Sequence, residues 1–94
     1  MRVKDILKIN AQLSQFNVLP PTKPPQVELT SSPSLEQIHK AFRAFNIPYD
    51  VLTIPEMQGV IILMKKRFSH DDAYMQVLET LSNHLVEMEA WLRE

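Results

Sequence analysis

The chain has 94 residues, 45% of them hydrophobic, a formal net charge of -1, one glycine, seven prolines and no cysteine. That is enough for one domain with a modest core, and the near-neutral charge excludes a surface that traps phosphate throughout. One glycine excludes glycine-rich phosphate loops, and no cysteine excludes disulfides, thiolate zinc sites and cysteine nucleophiles.

The charge is unevenly spread. Residues 1–46 carry six Lys/Arg and three Asp/Glu, whereas residues 47–94 carry four and eight, about +3 against -4. This suits pairing within the fold or between subunits. The first residues lead into an amphipathic segment with no small-residue cleavage site. The longest apolar run, residues 60–64, is far short of the ~20 residues of a spanning helix. A cytoplasmic protein is expected.

In residues 3–16, Val3, Ile6, Leu7, Ile9, Leu13 and Phe16 recur at mostly helical spacing between polar residues. Asn17 tolerates the left-handed conformation that ends a helix, and Pro20 forbids continuation. Residues 18–33 then hold five of the seven prolines, which predicts a stiff, extended linker. Its PxxP pattern reads as a spacer, and Val27-Glu28-Leu29 alternates, as a segment would that pairs briefly as a strand or lies across the helices.

The second helix starts on Ser32 or Ser34, with Ser34 and Gln37 matching a capping box. Leu35, Ile38, Phe42 and Phe45 form one apolar stripe that stops at Asn46. The third helix opens on Thr53-Ile54-Pro55-Glu56, another capping box with proline in the first turn. Ile54, Met57, Ile61, Met64 and Phe68 make its stripe, and Val60, Ile62 and Leu63 widen it nearly all round, as in a central helix. Gly59 in its middle suggests close approach of a neighbouring backbone. The fourth helix follows Ser69, with Tyr74, Leu78, Leu81, Leu85, Met88 and Leu92 in a heptad-like seam beside Val77 and Trp91. At 1.5 Å per residue it would be about 36 Å long. The short turn before it predicts an antiparallel hairpin.

The expected architecture is all-α: a small helical bundle with a C-terminal antiparallel helical hairpin and an N-terminal helix tethered by a proline-rich linker. Its parts are an amphipathic helix at 1–17, a linker at 18–33 and a bundle at 34–94, with helices over about 34–46, 54–68 and 70–93.

No catalytic or metal site is expected, and no cofactor. His39, His70 and His84 include no pair at the i, i+4 spacing that puts two imidazoles on one helical face, and there is no nucleophile-elbow motif. The function expected is that of a non-enzymatic adaptor, regulator or accessory subunit. It would bind a larger protein assembly, or itself, through apolar helix faces, with no membrane or small-molecule substrate. Contact residues are expected at Ile6, Ile9, Leu13 and Phe16 on the first helix, and at Leu85, Met88, Trp91 and Leu92, where the fourth outruns its neighbours. The alternative is a nucleic-acid-binding accessory factor using Lys40, Arg43, Lys65, Lys66 and Arg67 within a basic front half. Against it, the link between the second and third helices is long for a helix-turn-helix, and the third lacks an outward base-reading face.

Overall fold

The computed structural model describes residues 2–27 and 34–93, with backbone alone for 91–93. The chain is all-helical: α1 (Val3–Gln15), α2 (Leu35–Ala44), α3 (Ile54–Arg67) and α4 (Asp72–Arg93), with no strand among the described residues. None of these helices is long and apolar enough to cross a membrane. The candidate Ser32 cap and the Glu28-Leu29 part of the alternating stretch lie outside the described residues; Val27 is half-buried against the core.

Helix boundaries follow local chemistry. Ser34 Oγ accepts from the Gln37 amide at 3.3 Å while Gln37 Oε1 accepts from the Ser34 amide at 2.9 Å. Thr53 and Glu56 repeat the arrangement at 3.3 and 3.0 Å, so both expected capping boxes are present. The backbone and hydroxyl hydrogen bonds from Thr53 hold the Glu56 carboxyl below its usual pKa. At the start of α4 the cap is Asp71. Phe68 to Asp71 form a turn closed by a 3.0 Å bond from the Asp71 amide to the Phe68 carbonyl, and Asp71, not Ser69, accepts from the Tyr74 amide at 3.1 Å.

The two asparagine stops are matched. Asn17 and Asn46 have φ of 59° and 58°. The amides of Val18 and Ile47, one residue on, donate to Leu13 and Phe42 at 3.1 and 2.9 Å. Each is a Schellman closure, in which the residue after the asparagine folds back on the last turn. Leu13, Val18, Phe42 and Ile47 are all buried. The repeated Phe-Asn-Val and Phe-Asn-Ile therefore end two helices and add to the core.

The helices pack as a chain of pairs, α1 on α3, α3 on α4 and α4 on α2. Lys65 pairs with Glu79, and Gln58 with Glu89. Partners move back along α3 as they move forward along α4, which defines an antiparallel hairpin. Its buried faces meet in one cluster with Ile9, Leu13 and Val18 of the N-terminal segment and Ile38, Phe42 and Phe45 of the α2 segment. Burying such side chains contributes roughly 1.5–3 kcal/mol each, before the entropy of ordering them is subtracted.

The proline-rich segment is pinned at two points. The Tyr74 hydroxyl donates to the Pro21 carbonyl at 2.7 Å, and Asn46 Nδ2 donates to the Leu19 carbonyl at 2.8 Å. Tyr74 is fully buried, stacked on Phe68 at 3.9 Å and tilted against Phe45 at 5.7 Å. The tyrosine at the start of α4 thus joins three chain segments.

Gly59 does not mark a close backbone approach. A Cβ built there meets nothing within 4 Å. Gly59→Ala is therefore expected to stabilise the protein by about 0.5–1 kcal/mol, raising Tm by several degrees in a thermal melt followed by circular dichroism. A lowered Tm would mean that the space is filled.

Candidate interaction surfaces

The apolar residues expected to contact a partner lie mostly in the chain's own core. Ile9 and Leu13 are buried, and Ile6 and Phe16 half-buried, because α1 lays that stripe along α3. Leu85 and Met88 are buried as well. The expectation that the end of α4 outruns its neighbours fails at these two positions, because α3 runs alongside α4 as far as the Gln58–Glu89 contact. The side chains of Trp91 and Leu92 lie outside the described residues.

A different set of apolar residues faces outward. On α1, Val3 is 73% and Leu7 64% exposed, one turn apart. On the hairpin, Ile62 of α3 is 54% and Val86 of α4 57% exposed. Leu19, Leu35 and Val51 are also exposed, but as single residues at loops and a helix start. Helical geometry could have separated the two groups on α1. At 100° per residue, Val3 and Leu7 point 120° and 160° away from Ile9. Val3 and Leu7 therefore fall outside the stripe that Ile9 and Leu13 bury.

The hairpin pair is brought together by its bridges. Gln58, Ile62 and Lys65 fall at i, i+4 and i+7, on one face of α3, and Glu79, Val86 and Glu89 fall at i, i+7 and i+10, on one face of α4. The Lys65 Nζ to Glu79 contact (2.6 Å) and the Gln58 to Glu89 contact (3.4 Å) set these faces side by side. Ile62 and Val86 therefore share the outer surface of the hairpin between the two contacts.

The candidate nucleic-acid residues do not converge. Lys65, Lys66 and Arg67 follow one another at 100° steps and face three ways. Lys65 pairs with Glu79, Lys66 sits in a hollow with Asp5 and Lys8, and the Arg67 guanidinium lies 5.0 Å from the Phe68 ring centroid. On α2, Arg43 donates to the Tyr49 hydroxyl at 3.1 and 2.8 Å, the Tyr49 ring stacks on His39 at 4.2 Å, and Lys40 is exposed. The exposed positions of α3 are Pro55, Ile62 and Lys66, which is no base-reading set.

The histidines are dispersed. His39 stacks on Tyr49, His70 is exposed in the turn before α4, and His84 is buried with Nδ1 3.3 Å from a Glu87 oxygen. Among the described residues no three His, Asp or Glu side chains are grouped to hold a metal. No family model, curated protein or solved structure matches the chain.

Proposed function

We propose that this is a non-enzymatic protein-interaction protein: a small adaptor, regulator or accessory subunit, cytoplasmic, that joins a larger assembly or copies of itself through apolar helix surfaces. One observation carries the reading. Helix α1 is docked by one stripe while Val3 and Leu7, on its other side, stay in water. Isolated exposed apolar residues are ordinary, and the support here is that two share one helix face and that Ile62 and Val86 repeat the arrangement on the hairpin. The absence of cysteine suits a reducing compartment.

Recovery of the tagged full chain from its own cells tests this, comparing the unaltered protein with Leu7→Asp. The expected result is a bound protein, or untagged copies of the chain, held at low and moderate salt and lost from the variant. Apolar association changes little with salt, whereas phosphate contacts weaken steeply. Recovery of nucleic acid alone, released by moderate salt, would overturn the proposal. So would recovery of nothing.

A further inference from the structure

We infer that the hollow between α1, the proline-rich arm and the end of α3 is a binding site for a carboxylate carried on an apolar group. The hollow measures about 470 Å³, within the size range of small-ligand sites. It shares no residue with the Val3/Leu7 or Ile62/Val86 surface, so the inference stands independently of the proposed function.

The lining divides into an apolar part and a polar part. Leu13, Val18 and Phe68 supply apolar surface, and Leu19, 75% exposed, adds to it from the arm. Asn10 and Thr22 add two exposed side chains able to donate hydrogen bonds. The one charge is Arg67. It is half-buried, and its guanidinium lies 5.0 Å from the Phe68 ring centroid, so the ring holds it at the hollow. That guanidinium makes no ion pair and no hydrogen bond among the described residues, whereas Lys65, two residues earlier, is matched by Glu79. Asp71, the nearest acid along the chain, accepts from the Tyr74 amide instead. An unmatched guanidinium beside apolar surface selects a carboxylate, whose two oxygens fit its paired N–H groups, with an apolar body attached. A single cation matches a single negative charge, which disfavours a phosphate dianion.

The arm forms the hollow in advance of any ligand. The Val18 amide closes on the Leu13 carbonyl at 3.1 Å, Asn46 Nδ2 donates to the Leu19 carbonyl at 2.8 Å, and the Tyr74 hydroxyl donates to the Pro21 carbonyl at 2.7 Å. Pro20 and Pro21 fix their own φ angles among these anchors. A wall held this way gives up little conformational freedom when a ligand arrives, which favours binding. The same anchors account for Leu19, an exposed leucine on a backbone pinned at both sides. The hollow that holds Lys66 has no such character. Asp5 offsets a lysine there, and Ile9 is the one apolar residue in its lining.

Amide NMR titration of the full chain tests the site with 4-phenylbutyrate and with 4-phenylbutanol, which keeps the apolar body without the charge. The acid should give saturable shifts at the Leu13, Val18, Leu19 and Phe68 amides, with a Kd on the order of 1 mM for a ligand of this size. The alcohol should bind about tenfold more weakly or worse, because it forfeits a charge-assisted hydrogen-bond pair. Arg67→Met should weaken the acid by about the same factor and leave the alcohol unchanged. If that variant loses helical circular dichroism, Leu19→Asp replaces it. It removes apolar wall at an exposed position and should weaken both probes. A free organic acid and the C-terminal residue of a protein chain present the same group. The tripeptide Gly-Gly-Phe and its C-terminal amide separate these sources. A tripeptide that binds at least as tightly as phenylbutyrate, with an amide that does not bind, assigns the site to a chain terminus. Tighter binding of phenylbutyrate assigns it to a free acid. No saturable shift with either carboxylate, equal binding of acid and alcohol, or unchanged acid affinity in the variant would each overturn the inference.

Discussion

Tyr74→Ala is expected to destabilise the protein by about 3–5 kcal/mol, the range for removing a large buried aromatic. That is a large fraction of the roughly 5–15 kcal/mol by which domains are stable. The ring is buried between Phe68 and Phe45, and its hydroxyl donates to the Pro21 carbonyl at 2.7 Å. Removing the side chain opens a cavity and strips that carbonyl of its donor. Tm should fall by more than about 12 °C, since each kcal/mol shifts Tm by at least ~4 °C in a domain of this size.

Tyr74→Phe separates the two contributions. It keeps the ring, loses the hydrogen bond and should cost about 1–2 kcal/mol. The pair also makes an alkaline prediction. Burial first, then the Asp71 carboxylate, raises the Tyr74 pKa above its ordinary value of 10.0. The unfolded chain therefore loses this proton at lower pH than the folded one. The contribution of the neutral phenol is complete below about pH 10 and is lost as pH rises through the raised folded pKa. Melts from pH 9 to 11 should show the unaltered protein losing stability faster than Tyr74→Phe. Parallel losses would contradict the burial of this hydroxyl.

The second large effect separates neighbouring residues. Leu85→Ala is expected to cost about 2–5 kcal/mol, and Val86→Ala less than about 0.5 kcal/mol, in denaturant unfolding followed by circular dichroism. Leu85 is fully buried, whereas Val86 is on the outer face. The contrast distinguishes a core seam from an interface seam. If the end of α4 were an interface on a folded monomer, Leu85→Ala would reduce association and leave monomer stability unchanged. Met88, one turn further on and also buried, should follow Leu85.

Much of the fold is legible in the chain because its signals are local. Ser34 with Gln37 and Thr53 with Glu56 satisfy amides within one turn, so spacing alone identifies them. Asn17 and Asn46 are stops for a similar reason, since a left-handed residue closes the helix it follows. The wide apolar girth of α3 suggests a central helix, and α3 does pack on two sides, against α1 and α4, but Ile62 stays exposed and α4 has two neighbours as well; the short turn after α3 announced the hairpin. What spacing did not convey depends on partners distant in sequence. Val18 and Ile47 each look like a loop residue until the Schellman closure returns them to the core. Tyr74 and Pro21, 53 residues apart, cannot be paired from periodicity. Proline content suggested a stiff arm, but stiffness does not say where the arm rests. Segment length misled at α4, whose seam looked surplus beside shorter helices yet is covered as far as Met88.

The candidate surface follows from the same distinction. Periodicity ranks residues by hydrophobicity and so pointed to Ile9, Leu13, Leu85 and Met88, which the core uses. Exposed apolar residues emerge only when the docked stripe is subtracted from the apolar total. On α1 that subtraction leaves Val3 and Leu7, and on the hairpin Ile62 and Val86. The basic run 65–67 shows the converse. It is contiguous in sequence yet dispersed in space, because three consecutive helical residues point in three directions.

The proposed function requires α1 to be part of the same core as α3 and α4, with only its far edge free. Native-state amide hydrogen exchange tests this most directly. If α1 belongs to the core, the amides of Ile9 and Leu13 exchange with the same opening free energy as those of Val60 and Ile61. If α1 is a tethered arm, Ile9 and Leu13 exchange far faster, at the rate of a fraying helix, while Val60 and Ile61 stay protected, and the account fails.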